Sequence, residues 1–185
     1  MATMISSGND VVTFLKSQHQ QIRELFSQVS AATGEERERA FYALRRLLAV
    51  HETAEEEIVH PAARRALPDG DAVVDMRLQE EHEAKQVLAQ LENLDVQSLE
   101  FDTKLRLLEA SVIAHAEAEE RLEFERLAAV FDPDRLTKMR KAAEFAEAVA
   151  PTRPHPGVES ATANMLVGPF ASMIDRTRDA FSGKS

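Results

Sequence analysis

Six residues of this chain have the types and spacing to hold metal ions: His19, His51, Glu55, His82, His115 and Glu119. They form a repeat. His19 precedes His51 by 32 positions, and Glu55 follows four later; His82 precedes His115 by 33, and Glu119 follows four later. The pattern H…HxxxE thus occurs twice, and its surroundings echo each other, HETAEEEIVHPAARR against HAEAEERLEFERLAA. Four residues advance about 400° around a helix, so the histidine and glutamate of each HxxxE are offset by about 40° and one turn. Both side chains of a pair can reach one point. A duplicated helical hairpin meeting about a pseudo-two-fold axis would give two histidines per metal and two carboxylates shared between the metals.

The chemistry favours this reading. Carboxylates and imidazoles inside a bundle are costly unless something compensates them, and two di- or trivalent cations would do so. Imidazole suits iron, zinc, copper or nickel, carboxylate suits harder ions, and a mixed set with bridging glutamates suits iron or manganese. One histidine on an apolar stripe is more often a hydrogen-bonded core residue, and an isolated HxxxE more often an exposed pair. Four stripe histidines, one per helix, with two glutamates at matched spacing, fit neither description.

Four helical segments must position these residues. The first covers residues 10–31, with Val12, Leu15, His19, Ile22, Phe26 and Val29 on one stripe and Asn9 or Asp10 as its cap. The second runs from near residue 35 to the turn LPDG at 67–70, with Phe41, Leu44, Leu48, His51, Glu55 and Ile58 in the same rhythm. The third, about 71–94, carries Leu78, His82 and Ala89 on its stripe, with Val74 and Leu88 beside it. The fourth runs to about 130, with Phe101, Leu105, Leu108, Val112, His115, Glu119 and Leu122 inward. The expected fold is all-α: an up-down-up-down four-helix bundle over residues 1–131. A C-terminal extension over 132–185 is expected to hold a fifth helix at about 133–150 and a Pro-rich linker at 151–157. In its last segment Phe170, Ile174 and Phe181 stand at helical spacing, to pack as a lid or to meet a partner.

Other charged and polar residues are expected outside the site. Glu52, Glu56, Glu57 and Glu120 read as a solvated face. His60, near a helix end, and His155, in the linker, read as exposed. Glu123, one turn after Glu119, reads as exposed, with proton carriage near the site as the alternative. Tyr42, nine residues before His51, falls about 180° from it.

Composition bounds the function. With 44% hydrophobic and 29% charged residues, 6 Gly and 7 Pro, the chain is that of a globular helical protein. The net charge of -10 argues against nucleic acid or an anionic membrane as partner. There is no cysteine, which excludes thiolate ligands and thiol catalysis. No secretory signal or membrane span is evident, so the expected location is the cytoplasm.

On these motifs the sequence resembles the hemerythrin-like proteins, specifically the HHE cation-binding version, over roughly residues 10–130. The words LKSQHQQIRELF, HETAEEEIVHP, EEHEAKQVLAQL and HAEAEERLEF carry the likeness. The resemblance implies a non-haem di-iron centre, two Fe ions bridged by two carboxylates and an oxo or hydroxo group, with His19, His51, Glu55, His82, His115 and Glu119 as ligands. It also implies a small-molecule partner, O2, NO or H2O2, and either reaction with it, protective in effect, or sensing of oxygen or iron without turnover. Oxygen-carrying relatives have a fifth histidine one turn from another ligand on the third helix. Here the positions four before and four after His82 are Leu78 and Gln86, which favours reaction over reversible carriage.

Overall fold

The computed structural model describes residues 8–150, and among them there is helix and no strand. Helix α1 spans Val11–Ala31, and its start is capped by Asp10, whose carboxylate accepts from the Thr13 amide at 2.8 Å. The chain reverses at Gly34, whose φ of 55° is a left-handed conformation that glycine adopts without strain. The second rod is built in three parts: α2 (Gly34–Ala54), a π-helical turn over Glu55–Val59, and α3 (His60–Ala66). In the turn the His60 amide reaches back five residues to the Glu55 carbonyl. Pro61 follows at once, and its missing N–H removes the next i→i−4 bond.

Helix α4 (Gly70–Leu91) starts where a Cβ on Gly70 would lie 2.3 Å from the Ala63 carbonyl oxygen, so only glycine allows this close return. The fourth rod repeats the design of the second: α5 (Leu99–Glu119), a π-helical turn over Glu120–Phe124, and α6 (Glu125–Val130). Ser98 caps α5 by accepting from the Phe101 amide at 3.1 Å. Its turn has the same five-residue bond, from the Glu125 amide to the Glu120 carbonyl, with no proline beside it. The fifth helix, α7 (Pro133–Val149), has proline in its first turn, and Asp132 caps it by accepting from the Arg135 amide.

Helices α1 and α2 pair, as do α4 and α5, and α1 touches α5, which gives the expected four-rod bundle. Helix α7 packs against α1 and α2 and puts Leu136, Met139 and Ala143 into one apolar cluster with Val11, Leu15, Phe124 and Leu127. The linker and terminal segment of the expected extension lie outside the described residues.

The core is split into two apolar clusters, and every rod carries a polar residue between them. Along α1, His19 separates Leu15 of one cluster from Ile22 of the other. His51 lies between Leu48 and Ala54, Glu81 between Val74 and Leu88, and His115 and Glu119 between Val112 and Phe124. The polar layer is thus sealed above and below by packed side chains. No helix among the described residues is long and apolar enough to cross a membrane.

Candidate metal centre

Five of the six expected ligands converge. His19, His51, Glu55 and Glu119 each offer a ligand atom within 4.8 Å of the others, and a second such group joins Glu55 and Glu119 to His115 and Glu81. The Glu119 carboxylate spans the two: its Oε2 lies 3.4 Å from His19 Nε2 and its Oε1 3.1 Å from His115 Nε2. Glu55 Oε1 lies 3.3 Å from His51 Nε2 and 3.9 Å from His19 Nε2. Glu55 and Glu119 are both fully buried. The rings of His19 and His51 meet edge-on at 4.8 Å, and Phe124 stacks on the outer face of His19 at 5.6 Å.

Each of these histidines is held by its other nitrogen. His19 Nδ1 donates to Glu120 Oε1 at 2.9 Å, His51 Nδ1 to Gln18 Oε1 at 2.7 Å, and His115 Nδ1 to Glu80 Oε2 at 2.8 Å. Such partners fix the tautomer and aim Nε2 at the centre. The atoms aimed inward are left unsatisfied: His19 Nε2, His115 Nε2 and both oxygens of Glu55 and of Glu119 are buried without a hydrogen-bond partner. Buried polar atoms are rarely abandoned in this way, and a group of six around one point fits a pair of cations.

The sixth expected ligand is elsewhere. His82 is half-buried, its Nε2 meets the Gln86 side-chain amide at 2.6 Å, and it joins none of the ligand groups among the described residues. Its neighbour Glu81, 2% exposed, points inward instead. The buried face of α4 is Val74, Arg77, Glu81, Lys85, Leu88 and Leu91. Three of those six are charged, so apolar periodicity selected the adjacent stripe through Leu78, His82 and Ala89, about 100° away.

The glutamates expected on a solvated face are largely inside. Glu52 and Glu56 are 8% and 4% exposed, because α4 packs over them and brings Lys85. Lys85 Nζ donates to Glu56 Oε1 at 2.6 Å and lies 3.5 Å from Glu52 Oε2 and 3.6 Å from Glu81 Oε2. Glu57 and Glu120 are half-buried. Glu123 is fully buried, and its Oε1 accepts from His60 Nδ1 at 2.9 Å. His60, expected at the surface, is 2% exposed, and its Nε2 donates to Glu81 Oε1 at 2.8 Å. In an unbroken α-helix His60, nine residues beyond His51, would face the opposite way; the π turn adds a residue and takes back about 100° of rotation. Pro61 was the one sequence signal of that irregularity. Tyr42 stands apart, with the Arg45 guanidinium 5.3 Å over its ring. His155 lies outside the described residues.

Burial and mutual charge set the ionisation of the layer. Burial raises the Glu55 carboxyl well above its ordinary range, and the Glu119 charge adds to this. Burial also pushes Glu119 upward, but His115 and His19 beside it prevail and hold it well below the usual range. His51 is lowered by burial and by His19. Burial works against the charged form of His60, yet Glu123 and Glu81 override it and raise its pKa well above the ordinary value. Burial raises Glu52 to about 8 and Glu56 to about 7, against the pull of Lys85.

A small cavity opens onto the centre, lined by His19, His51, His115 and Glu81 on the polar side and by Ile22, Leu48, Val112 and Ala116 on the apolar side. About 30 Å³ of it is open to a water-sized molecule, room for roughly one or two waters.

Comparison with known proteins agrees with this architecture. A family model described as Hemerythrin HHE cation binding domain matches residues 10–127. A crystal structure of a hemerythrin HHE cation binding domain-containing protein from Mycobacterium kansasii is similar in fold, with a TM-score of 0.65 and 22% identity over 75% of this chain and 88% of that one. Comparison with curated proteins gives no match.

Proposed function

Because the chain belongs to the hemerythrin HHE cation-binding family, we propose that it is a non-haem di-iron protein that binds and reacts with nitric oxide, peroxide or dioxygen and so protects against them. Its ligands would include His19, His51, Glu55, His115 and Glu119. One observation carries the reading: each of His19 and His115 has one ring nitrogen anchored and the other unpartnered, while both oxygens of both glutamates are unpartnered. These buried donor atoms would hold a pair of cations, with the imidazoles and both carboxylates supplying the ligands.

Bound iron would supply Lewis acidity and reversible electron transfer. The chain's own part is positioning and selection. Glu120, Gln18 and Glu80 hold the Nδ1 protons, so each Nε2 lone pair faces inward. The two apolar clusters keep bulk water from the layer and strengthen its electrostatics. The cavity's volume of about 30 Å³ suits a reactant of a few atoms, as dioxygen, nitric oxide and peroxide are.

The alternative, a sensor without turnover, draws on the path from His51 through Gln18 to Glu147, which connects the centre to α7. The test is metal analysis of protein from iron-replete cells, followed by peroxide and nitric oxide consumption over many equivalents. About two irons per chain with multiple turnover is the expected result. Two irons with single-equivalent binding would favour the sensor, and one metal or zinc alone would overturn both.

A further inference from the structure

Beyond the expected ligands, buried carboxylate oxygens without a hydrogen-bond partner remain on Glu52, Glu81 and Glu123 among the described residues. Of these three, the one that shares a ligand group with Glu55 and His115 is Glu81. Its Oε1 accepts from His60 Nε2 at 2.8 Å, and its Oε2 is buried with no hydrogen-bond partner, Lys85 Nζ standing 3.6 Å away. As in His19 and His115, one atom is anchored and the other is left without a hydrogen-bond partner. Glu81 also offers a ligand atom within 4.8 Å of those of Glu55, His115 and Glu119. His82 offers none among the described residues.

We infer that Glu81, one residue before the histidine of the repeat, is the ligand that α4 gives to the metal centre, and that it makes the two metal positions chemically unequal, the His115 side accepting a harder divalent cation such as manganese. This rests on the two-metal reading above.

The inequality follows from counting donors. The position beside His19 and His51 has two imidazoles and a share in Glu55 and Glu119. The position beside His115 has one imidazole, a carboxylate of its own and the same shared pair. Imidazole favours the later first-row ions, whereas carboxylate oxygen favours magnesium, calcium and manganese, so the second position discriminates less against manganese. The surroundings support an anionic ligand at this point. His60 is flanked by Glu81 and Glu123, and Lys85 by Glu52, Glu56 and Glu81, so two cations already stand beside the carboxylate and stabilise it, and its Oε2 still has no hydrogen-bond partner.

The experiment loads the full chain with metal and compares it with Glu81→Gln and His82→Ala. Metals per chain are measured by mass spectrometry, and circular dichroism verifies folding. Wild type and His82→Ala should each hold about two metals, and Glu81→Gln about one. If Glu81→Gln keeps two and His82→Ala falls to one, the inference is overturned while the two-metal reading stands. If wild type itself holds only one, both fail. A second measurement needs no variant: crystals of wild type grown with equimolar Mn2+ and Fe2+, with anomalous scattering at each absorption edge. Manganese should be enriched at the His115–Glu81 position. Equal or reversed occupancy would refute the inferred preference.

Discussion

Glu147, on the last described helix, reaches His51 through a single side chain: Gln18 donates from its Nε2 to Glu147 Oε1 at 2.7 Å and accepts on its Oε1 from His51 Nδ1 at 2.7 Å. An amide cannot reverse its two ends without losing both bonds, so Glu147 fixes which end of Gln18 faces the histidine. Helix α7 is therefore part of what orients His51, although it supplies no ligand.

Removing this orientation should weaken metal binding. Gln18→Ala leaves His51 Nδ1 without its acceptor, and loss of such a partner typically costs 10- to 100-fold in affinity. Glu147→Ala should cost less, since Gln18 stays in place with one bond. Glu144→Ala, which removes an exposed pair with Arg140, should have no effect. Competitive titration against a chromophoric chelator orders the three.

Metal removal should destabilise the fold. The apo-protein keeps six unsatisfied atoms of the layer buried, and binding to the native state alone adds about 2.7 kcal/mol at a hundredfold excess over Kd. For a chain of this size that corresponds to about 5–10 °C in Tm. Calorimetry before and after verified chelation measures it; an unchanged Tm would show that the site is not a metal site.

The glutamates of the HETAEEE segment should separate into three behaviours. Glu55→Ala removes a shared carboxylate and should abolish metal occupancy. Glu56→Ala should keep metal but lose stability, because it withdraws the carboxylate closest to the buried Lys85; the loss should stay below the about 3–5 kcal/mol of an unpaired buried charge, since Glu52 and Glu81 remain beside the ammonium. Glu57→Ala, half-buried and outside the ligand groups, should change stability by about 0.5 kcal/mol or less. Iron per chain and denaturant midpoints distinguish the three variants.

The metal-free protein should become less stable as pH rises from about 5 to 8. Glu52 and Glu56 have folded pKa values of about 8 and about 7, against an ordinary 4.5. Between these limits the native state binds more protons than the unfolded chain, so stability falls with pH. It is fully present below 4.5 and lost through 7 and 8. Glu52→Gln combined with Glu56→Gln should flatten the profile, read as Tm against pH.

The helices and five of the metal-binding candidates were legible because they sit on long apolar stripes: His19 between Leu15 and Ile22, His51 after Leu48, His115 after Val112. Periodicity failed where the inward face is itself charged. Glu81 and Lys85 face inward on α4 because Glu52, Glu56 and His60 of the second rod meet them there, and no local pattern reveals a partner on another helix. It failed again beyond each π turn, where counting at 100° per residue places His60 on the wrong side.

Each π turn contains one residue more than the α-helix it interrupts, so the difference between the two geometries is the length of a single codon. Deleting one residue within 56–59 or within 121–124 would leave the chain upstream, with its HxxxE, in register and rotate all that follows by about 100°. In the first case His60 swings away from Glu81 and Glu123. The ligand pairs and the buried acid–base residues beyond them are thus separable units of inheritance: an in-frame change of three nucleotides can discard the second and keep the first.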